Sequence, residues 1–263
     1  MVLPHGPESA DGFPLAGRVA RRLDTLVESA STNADLRGLA QDASWPHLSV
    51  LVTTNQTAGR GRLNRAWTTP TGTALAISVL LRDLPARLES RAWLPLVAGV
   101  AMADAVAAQL PDHDVGVKWP NDVLVDGRKI CGILAEVEGS AIVVGAGVNT
   151  TMTAQQLPVA TATSFAVVGA VADEDRLLAD YLARLDALLK ALVAVDDALA
   201  AGVHAVVAER CLTLGRGVVV SMPDGSVLRG TASGLDAYGR LEVDAEGVRR
   251  TVSAGDVVHA RLD

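Results

Sequence analysis

Residues 115–137 have the sequence VGVKWPNDVLVDGRKICGILAEV, and this stretch decides the class of fold. Apolar runs rich in Val, Ile and Leu stand on both sides of the pair Asp126-Gly127. An Asp-Gly pair between such runs indicates a β-hairpin, because its backbone readily adopts the turn that joins antiparallel strands. Residues 141–150 (AIVVGAGVNT) follow and predict a further strand that ends in small residues. The centre of the chain therefore predicts neighbouring strands of one sheet.

Upstream of this hairpin, two more apolar runs predict buried strands. They are residues 47–56 (HLSVLVTTNQ) and 73–81 (TALAISVLL). The residues between them, 57–72 (TAGRGRLNRAWTTPTG), lack periodicity and predict a long loop. Nearer the N-terminus, the pattern from Leu15 to Leu26 predicts a short helix. A second helix-compatible stretch follows Ser31-Thr32-Asn33, and we expect one of these three residues to cap it.

Three further segments predict helices that cover the sheet. Residues 93–110 (WLPLVAGVAMADAVAAQL) are apolar on almost all sides and predict a buried helix. Residues 175–195 (DRLLADYLARLDALLKALVAV) have the clearest amphipathic periodicity, and residues 203–211 (VHAVVAERC) predict a shorter helix. Strands and helices in this arrangement predict an α/β fold.

The pattern changes after Cys211. Short Val-rich runs are separated there by PDG, SG, YG and EG turns, which predicts a small barrel or sandwich. We therefore divide the chain into a large α/β domain at residues 1–210 and a small β domain at residues 211–263.

Composition excludes several classes of protein. The formal net charge of −7 argues against a duplex nucleic acid partner, which requires a basic surface. The apolar runs fall short of the ~20 residues that span a bilayer, and the N-terminal residues lack the pattern of a secretory signal. Cys131 and Cys211 have no metal-ligand spacing, so we expect free thiols in a reducing cytoplasm.

The segment with the most chemical information is the Gly-Arg loop, residues 59–65 (GRGRLNR). Its three arginines offer planar donor groups that suit phosphate or carboxylate oxygens. Its glycines permit a loop that becomes ordered when a ligand binds. It is not a Walker loop, because no Gly-Lys-Ser/Thr follows. Taken alone, the loop is equally compatible with a solvated surface segment.

Four blocks of sequence together resemble the biotin protein ligase family. They are SASTNAD (29–35), QTAGRGRLNRAW (56–67), KWPNDVLVDGRKICGILAE (118–136) and VVGAGVN (143–149). The blocks occur in the order of that family and at roughly its spacing. The resemblance implies a mixed, largely antiparallel sheet with helices, like that of class II synthetases and lipoate ligases. It also implies a small C-terminal SH3-like β-barrel.

The resemblance assigns a biotin-binding role to ten residues. They are Ser31, Thr32, Asn33, Gln56, Gly59, Arg60, Gly61, Arg62, Lys129 and Gly132. Hydroxyl and amide groups suit the ureido ring of biotin, which has one carbonyl and two N–H groups. For Ser31 and Thr32, the alternative is a purely structural role as a helix cap. Among these residues, Lys129, Arg60 and Arg62 are the predicted catalytic residues.

The resemblance also assigns residues to ATP or the adenylate. They are Arg65, Trp67, Lys118, Asn121 and Asn149. Trp67 is expected either to stack on adenine or to anchor the Gly-Arg loop by packing. Asp122 could help to bind a metal or orient the acceptor amine, and no role is assigned to it. Mg²⁺ is expected with ATP, although the sequence offers no dedicated set of metal ligands.

By resemblance, the enzyme forms biotinyl-5'-AMP from biotin and ATP. It then transfers biotin to a lysine of the biotin carboxyl carrier domain of acyl-CoA carboxylase. A homodimer formed through the sheet is also expected from the family.

Three alternative functions are also considered for this sequence. One is a lipoate protein ligase, which has a related fold. The second is a repressor that uses biotinyl-adenylate as a signal, and the third is a biotin-binding module without catalysis. About thirty residues precede the Ser-Thr-Asn block. That length is too short for a winged helix-turn-helix, so we expect a ligase without DNA binding.

Overall fold

The computed structural model describes residues 8–9, 12–222, 224–253 and 255–260. The strands preceding the hairpin region are β1 (Glu8–Ser9), β2 (Arg22–Thr25), β3 (Ser49–Thr53), β4 (Gly59–Arg60), β5 (Ala66–Trp67) and β6 (Ala74–Leu81). The following strands are β7 (Val115–Lys118), β8 (Asp122–Val125), β9 (Arg128–Glu138) and β10 (Ala141–Asn149). The last strands are β11 (Gly217–Ser221), β12 (Val227–Leu235), β13 (Leu241–Ala245), β14 (Val248–Val252) and β15 (Asp256–Ala260). The helices are α1 (Ala16–Val19), α2 (Thr32–Gly38), α3 (Leu88–Arg91), α4 (Leu94–Gln109), α5 (Glu174–Val195) and α6 (Val203–Arg210).

Eight strands form the central sheet, in the order β1-β2-β3-β6-β10-β9-β8-β7. The β2–β3 pair is parallel and the other neighbours are antiparallel. The predicted mixed, largely antiparallel sheet is therefore confirmed. Its centre is formed by β6, β10 and β9, which include the VVGAGVN and RKICG segments.

Both faces of the central sheet are covered, which explains why its strands are continuous apolar runs. On one face, Val50, Val52 and Val79 contribute to the large core that includes α4 and α5. On the other face, Leu51 and Leu80 pack with α2 and its neighbours in a smaller cluster. Because side chains alternate along a strand, successive residues of β3 supply opposite cores.

Leu88–Gln109 contains an 18-residue stretch whose mean hydropathy of 1.4 would suit a membrane-spanning helix, but 67% of that stretch is buried inside the molecule. Most of it is α4, which packs against α5, α6 and the strands β7, β8 and β9. Its apolar character is therefore accounted for by the core.

Five antiparallel strands form the C-terminal sheet, in the order β14-β13-β12-β11-β15. This sheet confirms the short strands predicted after Cys211. Two tryptophans join it to the larger part of the molecule: Trp93 Nε1 donates to Ala237 O and Trp119 Nε1 donates to Gly239 O, both at 3.0 Å. The proposed division between residues 210 and 211 falls at the end of α6.

Three local predictions were wrong. The helix predicted over Leu15–Leu26 is one turn, α1, followed by strand β2. Residues 22–25 pair in parallel with β3, and this long-range pairing outweighs a short helical pattern. The loop predicted at residues 57–72 contains the small β4–β5 hairpin. The first strand predicted in residues 115–125 is two strands, β7 and β8, joined by a turn at a cis Trp119-Pro120 bond.

Candidate functional site

A cavity of about 430 Å³ lies between the centre of the central sheet, the start of α2 and the Gly-Arg loop. The predicted biotin- and nucleotide-binding residues line this cavity, with the exceptions of Gly59 and Lys118. Those lining residues are Ser31, Thr32, Asn33, Gln56, Arg60, Gly61, Arg62, Arg65, Trp67, Asn121, Lys129, Gly132 and Asn149. Residues separated by more than one hundred positions in the chain therefore meet in one place, and their individual roles stay predictions.

One end of the cavity is a buried network of hydroxyl and amide groups. Thr32 N and Thr32 Oγ1 donate to Gln56 Oε1 at 2.9 and 3.0 Å. Ser78 Oγ lies 2.8 Å from Thr32 Oγ1 and 2.6 Å from Asn33 Oδ1. Because these groups orient one another, the network is set before a ligand binds. Such a preorganised set of polar groups suits a small polar ring in an otherwise apolar pocket.

Ser31 combines the two roles that the sequence left open. It is the N-cap of α2, and its side chain accepts a hydrogen bond from Ala34 N at 3.4 Å. It also lines the cavity. The expected cap is thus confirmed at Ser31, while Thr32 begins the helix and faces Gln56.

The glycines of β10 leave room for two cavity side chains. A Cβ atom on Gly145 would lie 2.4 Å from Asn33 Oδ1. A Cβ atom on Gly147 would lie 2.6 Å from Trp67 Cζ2. Non-bonded atoms do not approach this closely, so packing requires glycine at both positions. For Trp67, the ring packs against Gly147, which supports the predicted anchoring role.

The Gly-Arg loop is closed over the cavity. Gly61 N donates to Arg65 O at 2.7 Å, which makes residues 61–65 a compact turn. Arg62 Nη1 donates to Asn121 Oδ1 at 3.1 Å, and Arg65 forms an ion pair with Asp256 of the C-terminal sheet. The three arginines of the loop line the same cavity as the polar network, so a ligand with an acid group could meet them there.

Lys129 forms an ion pair with Asp122, with 2.5 Å between Lys129 Nζ and Asp122 Oδ1. Its backbone is fixed by Thr161 and Thr163, since Lys129 N donates to Thr161 O and Thr163 N donates to Lys129 O, both at 2.8 Å. A Cβ atom on Gly132 would lie 3.0 Å from Lys129 Nζ, so this glycine leaves space for the ammonium group. Lys129 is consequently a positioned cation on the cavity wall.

Two predicted residues do not line the cavity. Gly59 is packed behind it, where a Cβ atom would lie 2.3 Å from Gln56 Nε2 and 2.6 Å from Trp67 O. Its role in the structure is close packing against Gln56 and Trp67. Lys118 is half-buried at the end of β7, and burial lowers its pKa below the ordinary value, although the nearby Asp122 raises it.

Two residues were missed by the sequence analysis. Ser78 is fully buried and orders Thr32 and Asn33, and its signal was a polar residue in the apolar run ALAISVLL. Asp256 lines the cavity from the C-terminal sheet, 191 positions from its partner Arg65. No local pattern in the sequence could indicate such a distant contact.

Two parts of the chain match known protein families. Residues 27–149 match the family described as Biotin/lipoate A/B protein ligase family, and residues 213–260 match the Biotin protein ligase C terminal domain. A Mycobacterium tuberculosis protein named Biotin--[acetyl-CoA-carboxylase] ligase is 39% identical over 94% of this chain and 92% of its own length. The chain belongs to the biotin protein ligase family, which confirms the resemblance found in the sequence.

A solved structure agrees with this assignment. The biotin protein ligase from Aquifex aeolicus in complex with biotin and ATP is 26% identical, with a TM-score of 0.75 over 92% of this chain and 100% of that chain. The Escherichia coli bifunctional ligase/repressor BirA is 42% identical, but over 37% of this chain and 31% of its own length. The similarity to the repressor is thus confined to a part of both proteins.

Proposed function

We propose that this chain is an ATP-dependent biotin protein ligase. It forms biotinyl-5'-AMP from biotin and ATP, and then transfers biotin to a lysine of a biotin carboxyl carrier domain. The observation that carries this function is one cavity that combines the Thr32–Gln56 network with the cations Arg62 and Lys129. The ATP-and-biotin complex of the Aquifex relative supports the same pair of substrates.

In the first half-reaction, a carboxylate oxygen of biotin attacks the α-phosphorus of ATP. The new O–P bond forms as the bond from the α-phosphorus to the bridging oxygen breaks, and pyrophosphate leaves. Two anions must approach each other, so positioned cations reduce their repulsion. We assign this task to Lys129, Arg60 and Arg62, with Arg65 on the phosphates, because these side chains line the cavity beside the polar network.

In the second half-reaction, the neutral amine of the acceptor lysine attacks the acyl carbon of the adenylate. The C–N bond forms, the C–O bond to AMP breaks, and the amine loses a proton. The ordinary pKa of a lysine is ~10.4, so most of the free amine is protonated at neutral pH. Asp122, which accepts from Lys129, is a carboxylate in the cavity that could orient this amine.

Mg²⁺ is part of this proposal, as the partner of ATP. Asp122 is a carboxylate on the cavity wall, which fits a cation held mainly by substrate phosphates and water. Within the described ranges, no cluster of three or more His, Cys, Asp or Glu residues could hold a metal alone. When bound, the ion would supply charge neutralisation on the phosphates.

The acceptor, the assembly and the compartment are also proposals. The name of the Mycobacterium tuberculosis relative supports acetyl-CoA carboxylase as the source of the acceptor domain. On one side, residues 134–138 of β9 pair with β10, and on the other side they extend beyond the described pairing with β8. This strand edge supports a homodimer formed through the central sheet. Two buried, unpaired cysteines suit a reducing cytoplasm.

The test is incubation of the chain with biotin, Mg-ATP and a purified biotin carboxyl carrier domain, followed by mass spectrometry of the carrier. The expected product carries one biotinyl group, and neither a reaction without ATP nor a carrier with Arg in place of the acceptor lysine should gain it. An unmodified carrier would contradict the proposal. ATP–pyrophosphate exchange with biotin and with lipoate separates this function from that of a lipoate ligase.

A further inference from the structure

The Gly-Arg loop is joined to both sheets by arginine side chains. Arg62 binds Asn121 on the side of the central sheet. Arg65 binds Asp256 through both Nη atoms, and Asp256 begins β15 of the C-terminal sheet. Of the side chains that the structure describes in residues 60–65, these two make the hydrogen bonds to the rest of the chain. The C-terminal sheet therefore holds one end of the loop.

The ion pair between Arg65 and Asp256 has the strength expected of a contact that closes the Gly-Arg loop reversibly. The side chain of Arg65 is 64% exposed and that of Asp256 is 37% exposed. An ion pair in such a position contributes at most about 1 kcal/mol. A contact of this size holds a loop in place for most of the time, yet permits it to open for nucleotide entry and product release.

We infer that Asp256 is a positioning residue that holds the Gly-Arg loop closed through Arg65 and so retains the biotinyl-adenylate between the two half-reactions. This inference rests on the proposed function. The adenylate is a reactive anhydride, and a closed loop protects it from water. A guanidinium group has five N–H donors, so Arg65 can bind Asp256 and still offer donors to a phosphate.

The experiment uses the full chain with Asp256→Asn, which retains the shape of the side chain and removes its charge. The chain is incubated with biotin and Mg-ATP without a carrier, and the steady release of AMP measures escape and hydrolysis of the adenylate. We expect release to rise about fivefold, the factor that corresponds to about 1 kcal/mol. ATP–pyrophosphate exchange should change much less, because it reports the first half-reaction.

Two variants serve as controls. Asp256→Glu retains the charge and should keep release near that of the unmodified chain. Asp244→Asn removes another exposed carboxylate of the C-terminal sheet, one that accepts from Arg249 Nε at 2.9 Å and does not line the cavity. This variant should leave AMP release unchanged.

The salt dependence of AMP release offers a second test. Salt screens exposed charges, so raising NaCl from about 0.05 M to about 0.5 M should increase AMP release from the unmodified chain and leave that from Asp256→Asn almost constant.

Equal release and equal salt dependence in the two proteins would overturn the role of Asp256. Loss of pyrophosphate exchange in Asp256→Asn would also overturn it, because the residue would then act in adenylate formation. If the unmodified chain shows no biotin-dependent ATP–pyrophosphate exchange, the proposed function itself fails.

Discussion

At the scale of single residues, the chemistry depends on how charged groups are held. Lys129 is fixed by Asp122 at the side chain and by Thr161 and Thr163 at the backbone. A long, flexible side chain is thereby limited to one part of the cavity wall. This limitation lets one point charge stabilise a developing negative charge without reorganisation during the reaction.

Replacing Lys129 by Ala should therefore slow adenylate formation by about 10²-fold, the scale for one preorganised donor. Biotin-dependent ATP–pyrophosphate exchange measures this step. Lys190→Ala is the matched control, since Lys190 forms an exposed ion pair with Asp186 on α5 and lies away from the cavity. Near-normal exchange in Lys129→Ala would remove this residue from the mechanism.

Cys131 lines the cavity, but its thiol should be unreactive. Burial raises the pKa of Cys131 to about 12, and this effect exceeds the opposing influence of Lys129. The reactive thiolate is therefore scarce at neutral pH. Iodoacetamide at pH 7.5 should label this residue slowly in the folded chain and rapidly in urea, as measured by peptide mass spectrometry. Rapid labelling of the folded chain would contradict the burial of this thiol.

At the scale of elements, the glycines of strand β10 determine both the packing of the strand and the shape of the cavity. Its residues Gly145 and Gly147 lie opposite Ser78 and Ala76 of β6, so this register places the GAG sequence beneath Asn33 and Trp67. The strand could not carry larger residues at these positions without moving the groups that line the cavity.

Gly145→Ala should weaken biotin binding, because its new Cβ atom would displace the Asn33 side chain from the polar network. Overpacking of this kind costs about 1–3 kcal/mol, so the Kd for biotin should rise by about tenfold or more. Isothermal titration measures this change. Gly38→Ala is the control, since no atom lies within 4 Å of its added Cβ. An unchanged Kd for Gly145→Ala would show that Asn33 does not contribute to binding.

At the scale of the whole molecule, a half-buried histidine of the C-terminal sheet lies near the charge of Lys118, which belongs to the central sheet. Burial, together with the nearby charges of Lys118 and Arg216, lowers the pKa of His259 in β15 to about 4. His259 Nε2 also lies 3.1 Å from Thr213 Oγ1. This histidine is therefore neutral in the folded protein at neutral pH.

The depressed pKa of His259 predicts a loss of stability in acid. Between pH 6.5 and about 4, the unfolded chain binds a proton at this residue and the folded chain does not. The free energy of unfolding should therefore fall as the pH decreases through this range and be unaffected by this group above it. Urea unfolding at several pH values measures the slope, and His259→Gln should reduce it. An equal slope in both proteins would contradict the prediction.

The sequence alone determined most of the elements and the family of the protein. Period-two and period-3.6 patterns in long segments such as 73–81 and 175–195 are local, so they can be recognised without knowing the partner of each element. The Asp126-Gly127 turn is equally local. The four sequence blocks pointed to the biotin ligases because their residue types and order are properties of the chain itself.

The tertiary structure decided what depends on distant contacts. Residues 22–25 became a strand through parallel pairing with β3, which no local pattern encodes. Ser78 acquired its role because β6 passes beneath α2. Asp256 reached the Gly-Arg loop only because the C-terminal sheet closes one side of the cavity. In each case the controlling interaction joins residues far apart in the chain, and its free energy exists only once the fold has brought them together.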